Sequence, residues 1–168
     1  MLPFKLLTLL AALTSAAGVA AQAADSGRRL EPTFNFNAPL RGVNGGPQKA
    51  SGLIKFRQPV DEVAIVYLDT TLRRLTPNRS YYLERGADTM VDGNCPPDSE
   101  TAAWMRLGQG LVPDAVNLNR KGTGHVVLFR ELPAAAIGVT FDIQFRAVDA
   151  ITGAIVLRSA CHQYTARR

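Results

Sequence analysis

The chain has 168 residues and a formal net charge of +5, which is the length of one domain with a sizeable core. Its basic residues are scattered rather than clustered beside aromatic residues, which argues against a nucleic-acid partner and indicates a solvated basic surface. Weak attraction to acidic glycans or to anionic membrane surfaces is the alternative use for this charge.

The first 23 residues are typical of a signal peptide that is cleaved during export. Lys5 supplies the positive charge, residues 6–17 are mostly apolar, and Ala21-Gln22-Ala23 fits an A-x-A cleavage site. This apolar run is shorter than the about 20 residues that span a bilayer. We therefore expect residues 1–23 to be removed and no integral membrane segment to remain. No cysteine lies near the cleavage site, so the expected location is secreted or periplasmic without a lipid anchor.

Residues 24–51 are rich in Gly, Pro, Asn and Arg, and this composition predicts a flexible N-terminal arm. Within it, only residues 33–37 alternate between apolar and polar side chains, as a short edge strand would. A single domain is therefore predicted over residues 52–168.

Short β-prone segments separated by turn residues follow one another through this domain. The candidate strands cover residues 53–57, 62–68, 80–85, 116–119 and 125–132, with 102–107 a strand or a short helical turn. Few windows show the apolar spacing of a helix. About eight strands with this spacing predict an all-β, antiparallel, Greek-key-like β-sandwich.

The C-terminal part of the domain is predicted to form a β-hairpin. Its first strand alternates strictly, and its predicted core side is formed by Val139, Phe141, Ile143, Phe145 and Ala147. Residues 149–153 form a turn with a glycine near its end, and a second strand follows over residues 154–165.

Cys95 and Cys161 are the only cysteines of the chain. Two cysteines in an exported protein usually form one structural disulfide, whereas a redox-active pair is more often close in sequence. We expect this bridge to hold the long irregular segment 86–101 against the C-terminal strand.

No group of residues has the pattern of a catalytic or metal site, so we predict no catalytic, cofactor-binding or metal-binding residue and no cofactor. Neither His125 nor His162 has a second histidine nearby, and no G-x-S-x-G motif is present. The alternative is a metal-dependent or hydrolytic site in the 86–110 loop. Asp98 and Glu100 could act there as paired carboxylates, or the oxygen-rich segment 88–100 could bind calcium.

A candidate binding surface combines aromatic and acidic side chains, namely Tyr81, Tyr82, Trp104, Asp92, Asp98 and Glu100. Aromatic rings of this kind stack on sugars or peptides, so a protein or a glycan is the expected type of partner. The alternative for Trp104 is burial beside the disulfide, as in many sandwiches. Asn78-Arg79-Ser80 is a glycosylation sequon that matters only in a eukaryotic secretory pathway.

Four short motifs follow one another in this chain: a G-x-x-x-F strand at 52–56, a T-P turn at 74–77, a Gly/Asp loop with a cysteine at 92–95, and an A-C pair at 160–161. Together they resemble the Cu/Zn superoxide dismutase family and the secreted chordin-type (CHRD) domains. The resemblance implies an immunoglobulin-like or superoxide dismutase-like sandwich with a Cys95–Cys161 bridge.

The metal ligands of that family are missing from this chain. The strand at residues 80–85 has no histidine, and no histidine precedes His125. The resemblance therefore implies the fold without the redox chemistry. We predict an exported, non-catalytic binding or structural module that acts through surface loops. The alternatives are the enzyme described above and a secreted effector-like protein that acts on another organism.

Overall fold

The computed structural model describes residues 35–43, 49–59, 63–95 and 104–167. The expectations for the signal peptide, residues 1–23, and for most of the predicted arm lie outside these ranges. The described residues contain a 3₁₀ turn at Ala134–Ala136 and twelve strands, which are β1 (Asn35–Gly42), β2 (Ser51–Arg57), β3 (Ile65–Arg73), β4 (Ser80–Asp88), β5 (Met105–Arg106), β6 (Gly108–Gln109), β7 (Val112–Pro113), β8 (Ala115–Asn117), β9 (Gly124–Glu131), β10 (Thr140–Asp149), β11 (Ile155–Ser159) and β12 (His162–Thr165). No helix in this part of the chain has the length and apolar character needed to cross a bilayer.

All twelve strands belong to one hydrogen-bonded sheet. Its order is β5-β4-β10-β11-β1-β2-β3-β9-β6-β7, with β12 also paired to β10 and β8 to β4. The sheet curls until it is nearly closed into a barrel. The all-β prediction is confirmed, but one continuous sheet of twelve strands stands where we expected a sandwich of about eight. Eight of the strands have four or more residues, and the other four are the short strands β5 to β8.

These short strands fill the gap between β4 and β9. β5 and β8 pair with β4, and β6 makes one parallel pairing with β9. The Leu107 amide also donates to the Leu83 carbonyl at 2.9 Å, and the Gly110 amide to the Phe129 carbonyl at 3.0 Å. Strands of two or three residues leave little alternating pattern in the sequence. The segments predicted at 102–107 and 116–119 overlap β5 and β8, whereas β6 and β7 were not predicted.

β1 is a central strand of the sheet and not part of an arm. It pairs with β2 along its length, from Asn35 opposite Arg57 to Arg41 opposite Ser51, and its last residues pair with β11. Ala38 and Leu40 on its inner side are almost completely buried. The sequence analysis placed these residues in the predicted arm because Pro39 and the nearby glycines interrupt the strand pattern.

The predicted C-terminal hairpin is present. Ile143, Phe145 and Ala147 of β10 are buried, as their alternation predicted. A register shift after Ala147 places both Val148 and Asp149 in buried positions as well. The predicted second strand is divided at residues 160–161 into β11 and β12, and both of these pair with β10.

The Cys95–Cys161 disulfide is confirmed, with the two Cα atoms 5.4 Å apart. It joins the segment after β4 to the short break between β11 and β12. The bridge therefore ties the long loop to the C-terminal part of the sheet, as the presence of two cysteines predicted.

Candidate functional site

A cavity of about 340 Å³ lies at one end of the barrel. We call it the barrel-end cavity, and its wall comes from the start of β3 and β10, the end of β4 and β9, β12 and the 3₁₀ turn; the contributing residues include Val66, Phe141, Ala87, Leu132, Tyr164 and Ala136. Its volume is near the lower limit of the roughly 300–1,000 Å³ typical of small-molecule sites. Most of its wall is apolar, so it suits a small apolar group.

Two arginines project into this cavity because of their place in the strand register. Arg85 of β4 is directly opposite Phe145, and Arg130 of β9 is directly opposite Val66. Directly opposed residues of an antiparallel pair lie on the same face of the sheet. Both Phe145 and Val66 are buried in the core, so both arginines face the barrel interior and line the cavity.

Neither arginine forms an ion pair with any carboxylate among the described residues. Arg130 donates to the Gly110 carbonyl at 3.3 Å. Burial lowers the pKa of Arg85, the positive charge of Arg130 lowers it further, and Tyr164 acts in the opposite direction. Arginine stays protonated in proteins, so the cavity wall carries two positive charges that repel each other.

Tyr164 is the third polar side chain at the cavity. Its hydroxyl donates to the Gln58 side-chain oxygen at 2.6 Å. Burial raises the pKa of Tyr164 well above its usual value, although the charge of Arg85 lowers it in part. The hydroxyl is therefore neutral and already engaged, which leaves the two guanidinium groups as the charged donors of the cavity.

The outer face of β4 carries a different group, which we call the outer-face cluster: Tyr82, Glu84, Trp104, Arg106 and Arg146. The Arg146 guanidinium lies 4.0 Å from the Trp104 ring centre, and that of Arg106 lies 4.5 Å from the Tyr82 ring centre. Glu84 accepts hydrogen bonds from both arginines. A Cβ atom at Gly86 would lie 3.2 Å from Trp104, so this glycine lets the indole ring approach the strand.

The predicted aromatic surface is therefore divided between two faces of β4. Tyr82 and Trp104 lie together in the outer-face cluster. Tyr81 is 1% exposed and belongs to the core, because adjacent strand residues point to opposite sides of a sheet. This corrects its predicted place in a binding surface. Trp104 packs over Gly86 and Arg146.

Of the acidic part of that predicted surface, the structure describes Asp92, which lies in the loop before Cys95. Asp92 is exposed, and its amide donates to the Asp142 carboxylate at 3.0 Å, as the Gly93 amide does at 2.6 Å. Asp142 itself is fully buried in β10, and one of its oxygens has no hydrogen-bond partner among the described residues. Asp98 and Glu100 lie outside the described residues, so the structure does not place them.

The two histidines lie in separate strands and serve different contacts. His125 is exposed, and its Nε2 lies 2.8 Å from Asp69. His162 is partly buried and stacks on Phe36 with ring centres 4.8 Å apart, and this burial lowers the pKa of His162. We expected a surface or hydrogen-bonded position for both residues. Across the described ranges, no three His, Cys, Asp or Glu side chains are grouped in a way that could hold a metal ion.

No protein-family model, curated protein or solved structure gives a significant match to this chain. The similarity to the superoxide dismutase and CHRD families therefore stays a prediction from short motifs.

The sequence analysis did not identify Arg85 and Arg130 as site residues. The signal was present in the strand alternation, because Arg85 follows Tyr81 and Leu83 on the core side of β4, and Arg130 follows Val126 and Leu128 on that of β9. A charged residue on the same face of a strand as core residues is unusual and indicates either a buried ion pair or a binding site. Only the barrel shows that the two arginines share one cavity.

Proposed function

We propose that this protein is an exported, non-catalytic binding protein whose ligand site is the barrel-end cavity. The observation that carries this proposal is the cavity of about 340 Å³ with a mostly apolar wall at the end of the barrel. Barrels of antiparallel strands commonly hold a small ligand in this position. The proposed binding site therefore lies inside the barrel and not on the surface loops expected from the sequence.

Export is supported by the signal-peptide pattern of residues 1–23 and by the disulfide, because such bridges persist in oxidising compartments. The Greek-key relationship to superoxide dismutase-like domains is a separate proposal. The cavity argument does not depend on it.

The outer-face cluster is the second candidate for a binding surface, with a glycan or a protein as its partner. It is less favourable, because the Arg146 and Arg106 guanidinium groups already cover faces of Trp104 and Tyr82. A sugar would have to displace these cations before it could stack on the same ring faces. The hydrolytic and effector-like alternatives stay predictions, and no contact among the described residues favours either.

Filling the cavity tests the proposal. We expect octanol, used as a simple apolar probe, to shift the methyl NMR signals of Val66, Leu107 and Leu132, which line the cavity. Ala87→Phe, which places a ring in the cavity, should abolish this response while the barrel stays folded.

Val127→Phe is the matched control, because Val127 is exposed on the outer side of β9. It adds the same ring and should leave octanol binding unchanged. Absence of octanol binding to the unmodified protein, or an equal response of both variants, would contradict the proposed site.

A further inference from the structure

We infer that the barrel-end cavity selects a small amphiphile with one anionic head group, which Arg85 and Arg130 bind together while the apolar wall holds its tail. This inference rests on the proposed function, because it names the class of ligand for the same cavity. Both arginines line the cavity, and their strand partners Phe145 and Val66 show that they point inward.

The positive charge of the cavity wall favours an anionic ligand. Two guanidinium groups share an apolar space, and no described carboxylate pairs with either of them. Burying like charges without a partner is costly, and an opposite charge between them removes that cost. A carboxylate or phosphate oxygen pair also matches the planar donors of arginine, which bind such groups in a bidentate way.

The rest of the cavity wall determines the chemical character of the ligand's tail. Val66, Leu68, Leu132, Phe141 and Ile143 present only apolar side chains to the cavity. An alkyl chain gains free energy with each methylene that it buries there. A cavity of about 340 Å³ suits one medium-length chain and is too small for a lipid with two long chains.

The wall near the 3₁₀ turn is built from small side chains. Pro133, Ala135 and Ala136 contribute to the cavity, and the turn itself has no buried residue. This side of the cavity is therefore lined by small residues that are also accessible to solvent. A ligand that enters here meets the ends of β4 and β9, where the two arginines lie.

A panel of four probes with the same octyl chain tests the inference by calorimetry at one pH and salt concentration: octanoate, octyl phosphate, octanol and octyltrimethylammonium. We expect at least one of the two anions to bind about tenfold or more tightly than octanol, since hydrogen bonds to charged groups are the strong ones. The cation should bind more weakly than octanol. The stronger of the two anions identifies the head group.

The panel separates the two proposals. Equal affinity for octanoate, octyl phosphate and octanol would overturn the anion inference but keep the cavity as an apolar site. Failure of all four probes to bind would overturn both. Tighter binding of the cation than of octanol would also contradict the inference.

Two variants assign the selectivity to the arginines. Arg85→Met and Arg130→Met keep an unbranched side chain but remove the charge, and each should reduce the preference for the anion about tenfold without weakening octanol binding. Arg73→Met, at an exposed strand end, is the control and should change nothing.

Thermal unfolding of the ligand-free Arg85→Met and Arg130→Met variants gives a second readout. If the arginines served only the structure, their removal would lower the midpoint of unfolding. Removing one of two repelling charges should leave the midpoint of thermal unfolding unchanged or raise it, although the preference for the anion is reduced. An anion preference that persists when both arginines are replaced by methionine would overturn the inference.

Discussion

The hydroxyl of Tyr164 donates a hydrogen bond of 2.6 Å to the side-chain oxygen of Gln58, and this contact joins the last strand to the end of β2. The Arg167 amide donates to the same oxygen at 3.0 Å, and the Gln58 amide nitrogen donates to the Arg167 carbonyl. β1 pairs with β11 through Leu40–Gly42, and no strand in the described part of the chain pairs with its first half on that side. Gln58 therefore connects the two sides of this gap with side-chain hydrogen bonds.

Replacing Gln58 should destabilise the barrel more than its size suggests. Gln58 is 1% exposed, and Gln58→Leu would leave the Tyr164 hydroxyl and the Arg167 amide without their acceptor. We expect a loss of about 2–3 kcal/mol in the free energy of unfolding, measured with denaturant. Tyr164→Phe should cost less, about 1 kcal/mol, because Arg167 still satisfies the Gln58 oxygen. Gln163→Leu, at an exposed position of β12, is the control, and equal costs for both glutamines would refute this role.

Reduction of the disulfide should lower stability strongly. Cys95 and Cys161 are 66 residues apart, and a closed loop of this length stabilises the folded state by roughly 4 kcal/mol in the chain-entropy model. A reducing agent should therefore shift the denaturant midpoint of the native protein downward. The double variant Cys95→Ser/Cys161→Ser should start at the lower midpoint and not respond to the reductant. A reductant effect of the same size on both proteins would contradict the assignment.

Asp149 should make the hairpin sensitive to acid. Burial would raise the pKa of Asp149, but hydrogen bonds from the Thr152 amide, the Arg79 side chain and the Ile151 amide outweigh it and lower the pKa to about 2. An unfolded Asp has a pKa of about 3.9. Because the folded value is the lower one, the stabilisation is complete above about pH 4 and is lost as the pH falls toward 2.

Thermal unfolding from pH 5 to pH 2 measures this contribution. Asp149→Asn should be less stable than the native protein at pH 5, and the difference should shrink as the pH falls to 2. Glu131→Gln changes an exposed carboxylate and serves as the control. A constant difference between the native protein and Asp149→Asn across this range would show that Asp149 does not titrate as described.

Glu84 should hold the outer-face cluster together. It is 7% exposed and pairs with Arg146 at 2.8 Å and with Arg106 at 3.3 Å. Removing a buried partner of an ion pair costs about 3 kcal/mol, so Glu84→Ala should destabilise the protein by about this amount. Trp104 is the only tryptophan, and its emission should change because Arg146 loses the carboxylate that positions it over the ring.

Glu131→Ala is a suitable control for this experiment also, because it removes an exposed carboxylate from a neighbouring region of the sheet. It should change neither the stability nor the emission of Trp104. If Glu84→Ala behaves like this control, the outer-face cluster is not held by Glu84.

The parts of the fold that were predictable depend on local patterns. The alternation in β10 located its buried residues, and the turn residues at 76–78 located the connection before β4, where Asn78 has a positive φ of 55°. β3 begins at Ile65 and ends at Arg73, although residues 62–68 were predicted. Both faces of the segment 62–68 carry apolar side chains, so the sequence does not show which face packs against the core.

The unpredicted parts depend on contacts between distant segments. β1 became a central strand because β2 and β11 lie on either side of it, and the short strand β6 forms because it lies between β9 and β7. Tyr81 and Tyr82 are neighbours in the chain, but the sheet sends one into the core and the other to the outer face. No local pattern distinguishes these two roles before the neighbouring strands are known.

The sequence by itself determined the all-β class, the hairpin near the C-terminus and the disulfide. Strand alternation is a local pattern, and two cysteines can form only one intramolecular disulfide. The tertiary structure decided which side of each strand became the interior of a barrel. Arg85 and Arg130 are 45 positions apart in the printed sequence, and only the curvature of the sheet brings their side chains to one cavity. Site residues of this kind are determined by how the sheet closes, which depends on long-range hydrogen bonds rather than on the residues themselves.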